Sequence, residues 1–299
     1  MVFTSIDASL VPSIAFLAAY RRPTIVWNSI TSVGIERGFS PNIVSTTTAA
    51  ILFPDGTLRT DSNTNHIDFD ITRNAIFNGS NQSGLRTGQS ESVNTWYAMY
   101  AVKEQNSTGF VLVGDVNPPS RGSIPALNSF YGTNGWLYLG YIRNGDNSGA
   151  TGDILKFVQV GYDFLFYNNM TDIAGNGGLG LRLAASAASP LTYTFSPGMG
   201  VGGGGSAADI PGSIIKYKVW AATGNGGAIA EWICSNSANS SRYFDITCGT
   251  GNRGVQTFDA TPNNNIRSAS GSPGSGLDIN LYGWSDHALS SNWSAQGGN

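Results

Sequence analysis

From Thr24 onward, short apolar runs alternate with turn signals about every ten residues, a spacing that suits a β-sandwich or barrel and leaves little room for long helices. Thr46 to Phe53 is rich in Thr, Ala and Ile and stops at Pro54-Asp55-Gly56, where Pro presets φ and Gly accepts a positive φ. In HIDFDI, Ile67, Phe69 and Ile71 point one way while His66, Asp68 and Asp70 point the other, as in a half-buried antiparallel strand. TWYAMYAV, GFVLVG, GWLYLGYIR and DILKFVQVGYDFLFY repeat the theme, separated by NSTG, NPPSRG and RNGDNSG. All are dense in the aromatic and β-branched residues that a pleated sheet accommodates well. A second series follows: LTYTF, SIIKYKVWAA, AIAEWIC, RYFDITC, GVQTFDA and LDINLYGW.

Between the two series, around residues 168 to 191, the composition loosens into Gly, Asn, Ala and Ser. The expected organisation is therefore an N-terminal arm over 1–24, a first β-sandwich over 25–170, a Gly/Ala/Ser-rich linker over 171–190 and a second β-sandwich over 191–299. The fold class is all-β, with two antiparallel, jelly-roll-like sandwiches. The arm, helical or extended, is either a strand or helix that packs on its own domain or a segment that docks on a neighbouring subunit through Leu10, Val11, Ile14, Phe16, Leu17 and Tyr20.

Charge narrows the function classes. Charged residues make up 12% of the chain, against roughly 25% in an ordinary domain. The net charge of -3 and the lack of any Lys/Arg run argue against nucleic-acid binding, which needs a basic stripe. Leu10 to Tyr20 is too short for a membrane span and has no basic region before it, so neither membrane insertion nor a secretion signal is expected. Cys234 and Cys248 flank a hairpin centred near Ala238 and Asn239, which would set Cys234 opposite Tyr243 and Cys248 opposite Ile229. Two free thiols are expected from that register.

Sites of chemistry are scarce. His66 and His287 are the two histidines, and neither has metal-ligand or Ser-His-Asp spacing, so no catalytic residue, cofactor or metal ion is expected. Asp68 and Asp70 lie roughly 7 Å apart on one strand face, within the span of an inverting glycosidase pair, but any polar strand face gives that spacing. Asp146, Asn147 and Asp153 offer oxygen ligands without the calcium-loop pattern. Of the seven tryptophans, Trp284 and Trp293 stand near Asp286 and His287 in a Ser/Asn-rich stretch, and these four residues are the candidates for contact with a receptor or partner.

NTWYAMYAVKEQNSTGFVLVGDVNPPSRG followed by GWLYLGYIRNGDNSGATGDILKFVQVGYDFLFY resembles a region of tailed-bacteriophage tail-fibre and related virion proteins. The elements that carry the resemblance are Trp96-Tyr97, Gly109 to Val113, Pro118-Pro119, Tyr138 to Arg143 and Phe157-Val158-Gln159-Val160-Gly161. The match covers residues 94 to 167, and the rest of the chain is similar in style. It implies a non-enzymatic β-sandwich protein of the virion, located at the tail, baseplate or capsid surface. Expected partners are further copies of the chain, as a homotrimer, and other virion proteins; the alternative function is a receptor- or carbohydrate-binding module at a fibre tip that contacts a host-surface glycan, and a third reading is a polysaccharide-degrading enzyme. A collagen-like repeat, long coiled coil or triple β-helix is not visible, which favours a compact appendage, adaptor or decoration over a long shaft.

Overall fold

The computed structural model describes residues 23–36, 47–76, 82–93, 95–105, 107–117, 119, 124–132, 135–145, 154–166, 283–286 and 289 in full. It describes the strands between residues 170 and 282 as backbone. The chain is mostly β, as the alternation of short runs and turns predicts. The first strands are β1 (Ile25–Trp27), β2 (Ser32–Ile35), β3 (Ala49–Leu52), β4 (Leu58–Asp61), β5 (Asp68–Asp70), β6 (Gly84–Leu85), β7 (Thr95–Lys103), β8 (Phe110–Asp115), β9 (Trp136–Asn144), β10 (Phe157–Val160) and β11 (Asp163–Phe166). Then come β12 (Met170–Thr171), β13 (Gly177–Gly178), β14 (Leu181–Ser186), β15 (Leu191–Thr194), β16 (Lys216–Thr223), β17 (Ile229–Ser235), β18 (Phe244–Thr247), β19 (Gly254–Ala260), β20 (Asn265–Ser270) and β21 (Leu277–Ser285).

A four-stranded sheet in the order β6-β8-β7-β9 forms the centre of the first half. Every residue of β7, β8 and β9 except Lys103 is buried. Both faces are thus covered, which is why these strands read as continuous apolar runs without alternation. β7 and β9 pair antiparallel, but the register jumps from Met99↔Gly140 to Tyr100↔Tyr138, leaving Leu139 as the extra residue of a bulge. Gly140 has φ 135, and the Phe164 ring fills the place a Cβ would need, so only glycine fits here.

Two features depart from the strand-only reading. Residues Ile124–Tyr131, between the expected strands, form a helix with Leu127 and Tyr131 buried one turn apart. Its Tyr131 ring packs 5.9 Å from that of Tyr100. HIDFDI is not one strand: Thr64–Ile67 is a helical turn and only Asp68–Asp70 is extended. The inward set Ile67, Phe69 and Ile71 is nonetheless fully buried. The turn forms because Asn63 caps it, its side-chain oxygen accepting from Asn65 N.

β10 and β11 are the two arms of a hairpin turned at Gly161, where φ is 62. They begin a larger sheet ordered β10-β11-β21-β16-β19. β21 pairs along one edge with β16 and along the other with β11 and then β14. Strands from both sides of the expected 171–190 linker therefore share one sheet, and Leu181–Ser186, inside that linker, is itself a strand. The reason is β21, whose length lets it bond two separate segments in register along one edge. A second sheet, β15-β20-β17-β18, contains the Cys234 strand. There Trp232 lies opposite Phe244, one residue away from the expected hairpin register, and Cys234 pairs with Ile266 of β20. Cys248 lies outside the described residues, as does the arm over 1–22.

Among the described residues one apolar cluster runs from Ile25 to Leu289. At its centre Trp96 meets Trp284 edge to face at 5.0 Å, and Phe164 stacks on Trp284 at 4.8 Å with an interplanar angle of 4°.

Candidate functional site

Two regions stand out: an acid-histidine cluster at one end of the central sheet, and an exposed apolar strip on the edge of the larger one. The cluster is assembled by local rules. The Pro54-Asp55-Gly56 turn, with Gly56 at φ 82, reverses β3 into β4 and delivers Asp61 at the end of β4. Asp61 Oδ1 accepts from Asn63 N at 2.8 Å, which starts the capped turn that carries His66. Ser83 fastens that turn to the sheet: its hydroxyl donates to His66 O and accepts from Leu112 N at 2.8 Å. Glu104, the residue after β7, completes the cluster.

His66 Nδ1 lies 2.7 Å from Asp61 Oδ2 and 3.2 Å from Glu104 Oε1. The side chains of His66 and Asp61 are 17% and 10% exposed, and that of Glu104 only 1%. Ser107 donates its hydroxyl to Glu104 Oε2, and Arg59 donates to Ser107 O. A Cβ at Gly109 would run into Asp61 Oδ2 and Glu104 Oε2, so glycine leaves the room in which the two carboxylates converge. The Ser107 hydroxyl is bonded to Glu104 and not to a ring nitrogen, so this is not the wiring of an activated serine. Its chemistry is that of two converging carboxylates and an imidazole. In the sequence His66 stands on the polar side of HIDFDI without metal-ligand or triad spacing, so nothing there signals Asp61 or Glu104 as its partners.

The carboxylates of Asp68 and Asp70 are engaged locally. Asp68 Oδ1 accepts from Asn28 Nδ2 at 3.2 Å. Asp70 Oδ1 accepts from Thr72 N at 3.0 Å and Thr72 Oγ1 at 2.7 Å, and its Oδ2 pairs with Arg73 Nε at 3.1 Å.

The expected contact group is corrected by burial. Trp284 and Asp286 are both 0% exposed. Trp284 is sandwiched among Trp96, Phe164 and Phe166, and Asp286 accepts a hydrogen bond from the Tyr138 hydroxyl. Neither presents a surface to a receptor, because the β11–β21 pairing draws this stretch into the core. His287, Trp293 and the arm residues Leu10, Val11, Ile14, Phe16, Leu17 and Tyr20 lie outside the described residues, as do Asp146, Asn147 and Asp153.

The apolar strip was not anticipated. β10 is the outermost strand of its sheet. Val160 is 65% exposed, Tyr162 52% and Val158 40%, while Phe157 between strand and core is buried. β1 lies beside it: Ile25 N donates to Gln159 Oε1 at 2.7 Å, Trp27 Nε1 to Ile154 O at 2.9 Å, and Ile154 N to Ile30 O at 2.7 Å. Val26 and Ile30 on this neighbouring segment are also exposed. The signal in the sequence was the Phe-Val-Gln-Val alternation, which leaves both valines on the face opposite Phe157.

Among the described residues no helix is long and apolar enough to cross a membrane. No protein-family model matches the chain, and no curated protein matches it in sequence.

Proposed function

We propose that this chain is a structural component of a tailed-phage particle, a tail fibre, adaptor or capsid decoration protein, acting by oligomeric assembly and surface contact. In this reading its sheets stack as jelly-roll-like sandwiches, copies associate as a homotrimer, and the assembly sits on the virion among other virion proteins. One observation carries the proposal: the edge strand β10 displays Val158 and Val160 beside Tyr162, with Val26 and Ile30 on the adjoining segment. An outer strand bearing apolar side chains is a liability for a monomer and an asset for a chain that buries it against a copy of itself. The sparse charge supports the same reading, since a surface of hydroxyls and amides meets an identical surface without desolvating ions.

Sedimentation and light scattering of the purified chain test it. The expected mass is a multiple of the monomer that survives dilution, and Val160→Asp shifts it toward the monomer with an unchanged far-ultraviolet spectrum. A monomeric wild type, or an oligomer indifferent to Val160→Asp, sinks the reading.

A further inference from the structure

We infer that Asp61, His66 and Glu104 form a binding site for a divalent transition-metal ion of the zinc class, one per chain. The ligand atoms, two carboxylate oxygens and one imidazole nitrogen, all lie within 4.8 Å of one another. Three bonds of roughly 2.0–2.2 Å to a shared tetrahedral ion set ligand atoms about 3.3–3.6 Å apart, so small side-chain rotations bring these three donors onto one ion. The donor set suits a borderline ion; calcium and magnesium prefer oxygen alone. With three protein ligands, a fourth position stays open to water or to a group from another molecule.

Glu104 itself calls for a cation at this point. Its side chain is 1% exposed, and its Oε1 accepts no hydrogen bond although it is aimed into the cluster. A buried carboxylate oxygen without a donor is costly, and a cation at the convergence point removes that cost.

Proton positions explain why a hydrogen bond from His66 does not serve instead. Asn63 Oδ1 is committed to Asn65 N, at 3.0 Å. Its Nδ2 therefore faces His66 Nε2, at 3.2 Å, and donates to it. In the neutral imidazole the ring proton then sits on Nδ1, where a single N–H faces two carboxylates. Asp61 Oδ2, the nearer at 2.7 Å, takes it. When an ion binds Nδ1, the ring proton moves to Nε2 and meets the Asn63 NH2, donor against donor. Asn63 thus weakens the site, and an acceptor in its place strengthens it, as carboxylates behind metal-bound histidines do.

The test is titration of the full chain with zinc chloride at pH 7.5 by calorimetry, after chelator treatment and dialysis, with folding checked by circular dichroism. Expected are one ion per chain, at least tenfold weaker binding in Glu104→Gln and in His66→Asn, and about tenfold tighter binding in Asn63→Asp. The Asn63→Asp variant keeps the turn capped, since Asp caps as well as Asn. It moves affinity in the opposite direction to the ligand variants, which damage to the fold would not do. Absence of a stoichiometric ion overturns the proposal. So does an ion whose affinity is unchanged in Glu104→Gln and His66→Asn, which would place it elsewhere, such as at the cysteines. Neither result bears on oligomeric mass, so the assembly reading is judged separately.

Discussion

The Tyr138 hydroxyl donates to the Asp286 carboxylate across 148 residues of chain, and both groups are fully buried. The pair ties the central sheet to the end of β21. Asp286 N also donates to Tyr162 O at 2.9 Å, which holds the carboxylate in line. Tyr138→Phe deletes one donor to a buried charge without opening a cavity, and is expected to cost about 1.5–3 kcal/mol. Urea denaturation measures it; a loss below about 0.5 kcal/mol would show the bond to be dispensable.

Trp284 is the apolar counterpart of that tie. Removing it by Trp284→Ala empties the space between Trp96 and Phe164 and should cost about 3–5 kcal/mol. Because Trp284 joins the two halves, the variant should unfold Trp96 and its neighbours at the same reduced denaturant concentration as the rest. Fluorescence and circular dichroism monitored together check this, and a Trp96 signal untouched by the substitution would contradict it.

Asp115 is another buried acid, with hydrogen-bond partners on both carboxylate oxygens. Its Oδ1 accepts from Gln89 Nε2, Asn117 N and Asn117 Nδ2, and its Oδ2 accepts from Tyr131 OH at 2.9 Å and pairs with Arg86 Nε at 2.9 Å. Arg86 in turn lies 4.0 Å over the Phe130 ring. One carboxylate thus fastens the helix and two loops to the end of β8. Asp115→Ala strands these donors together with the Arg86 charge, and a loss of about 3–5 kcal/mol is expected in thermal or chemical unfolding.

Alkali provides a separate test. Burial, the largest cause, raises the phenols of Tyr100, Tyr131 and Tyr138 well above the usual value of 10, aided by the nearby Asp115 and Asp286. Tyr97 is raised by burial as well. A raised acid stays protonated in the native state while the unfolded chain ionises, so stability is full below pH 10 and falls as pH rises beyond it. Phenolate absorbance from these residues should appear together with loss of tertiary structure and not before. Smooth ionisation of all tyrosines near pH 10 in a folded chain would refute it.

At the acid end, partial burial pushes Asp55 up, but hydrogen bonds from Lys103 and Thr57 outweigh it and hold the carboxyl at about 2, against a usual 3.8. A depressed acid stabilises the fold above its unfolded value, and that contribution is lost as pH falls from 3.8 through 2. The pair is partly exposed, so screening keeps the effect to roughly 0.5–1 kcal/mol. Asp55→Asn should remove that share of stability at pH 7 and be nearly neutral at pH 2, as read from paired melting curves.

How much of this was legible in the chain depends on range. β7, β8 and β9 announce themselves because a sheet covered on both faces needs nothing but apolar residues, and Gly, Asn and Pro punctuate its ends. The helix Ile124–Tyr131 was hidden by its own punctuation: Pro125 reads as a turn, yet in the first turn of a helix its missing N–H costs nothing. The Leu127 and Tyr131 spacing was the available clue. Asp61 and His66, five residues apart, become partners of Glu104 only once β4 and β7 are in place. Trp284 looked exposed because its neighbours in sequence are Ser, Gly and Asp, whereas its neighbours in space come from β7 and β11.

β21 is translated after every other strand described, yet Trp284 belongs in the core that β7 and β11 line. A nascent chain that has emerged only through residue 166 leaves the faces of Trp96 and Phe164 open, and the ribosome must add the intervening strands before the closing ring arrives. Maturation of the first half is therefore tied to completion of the second.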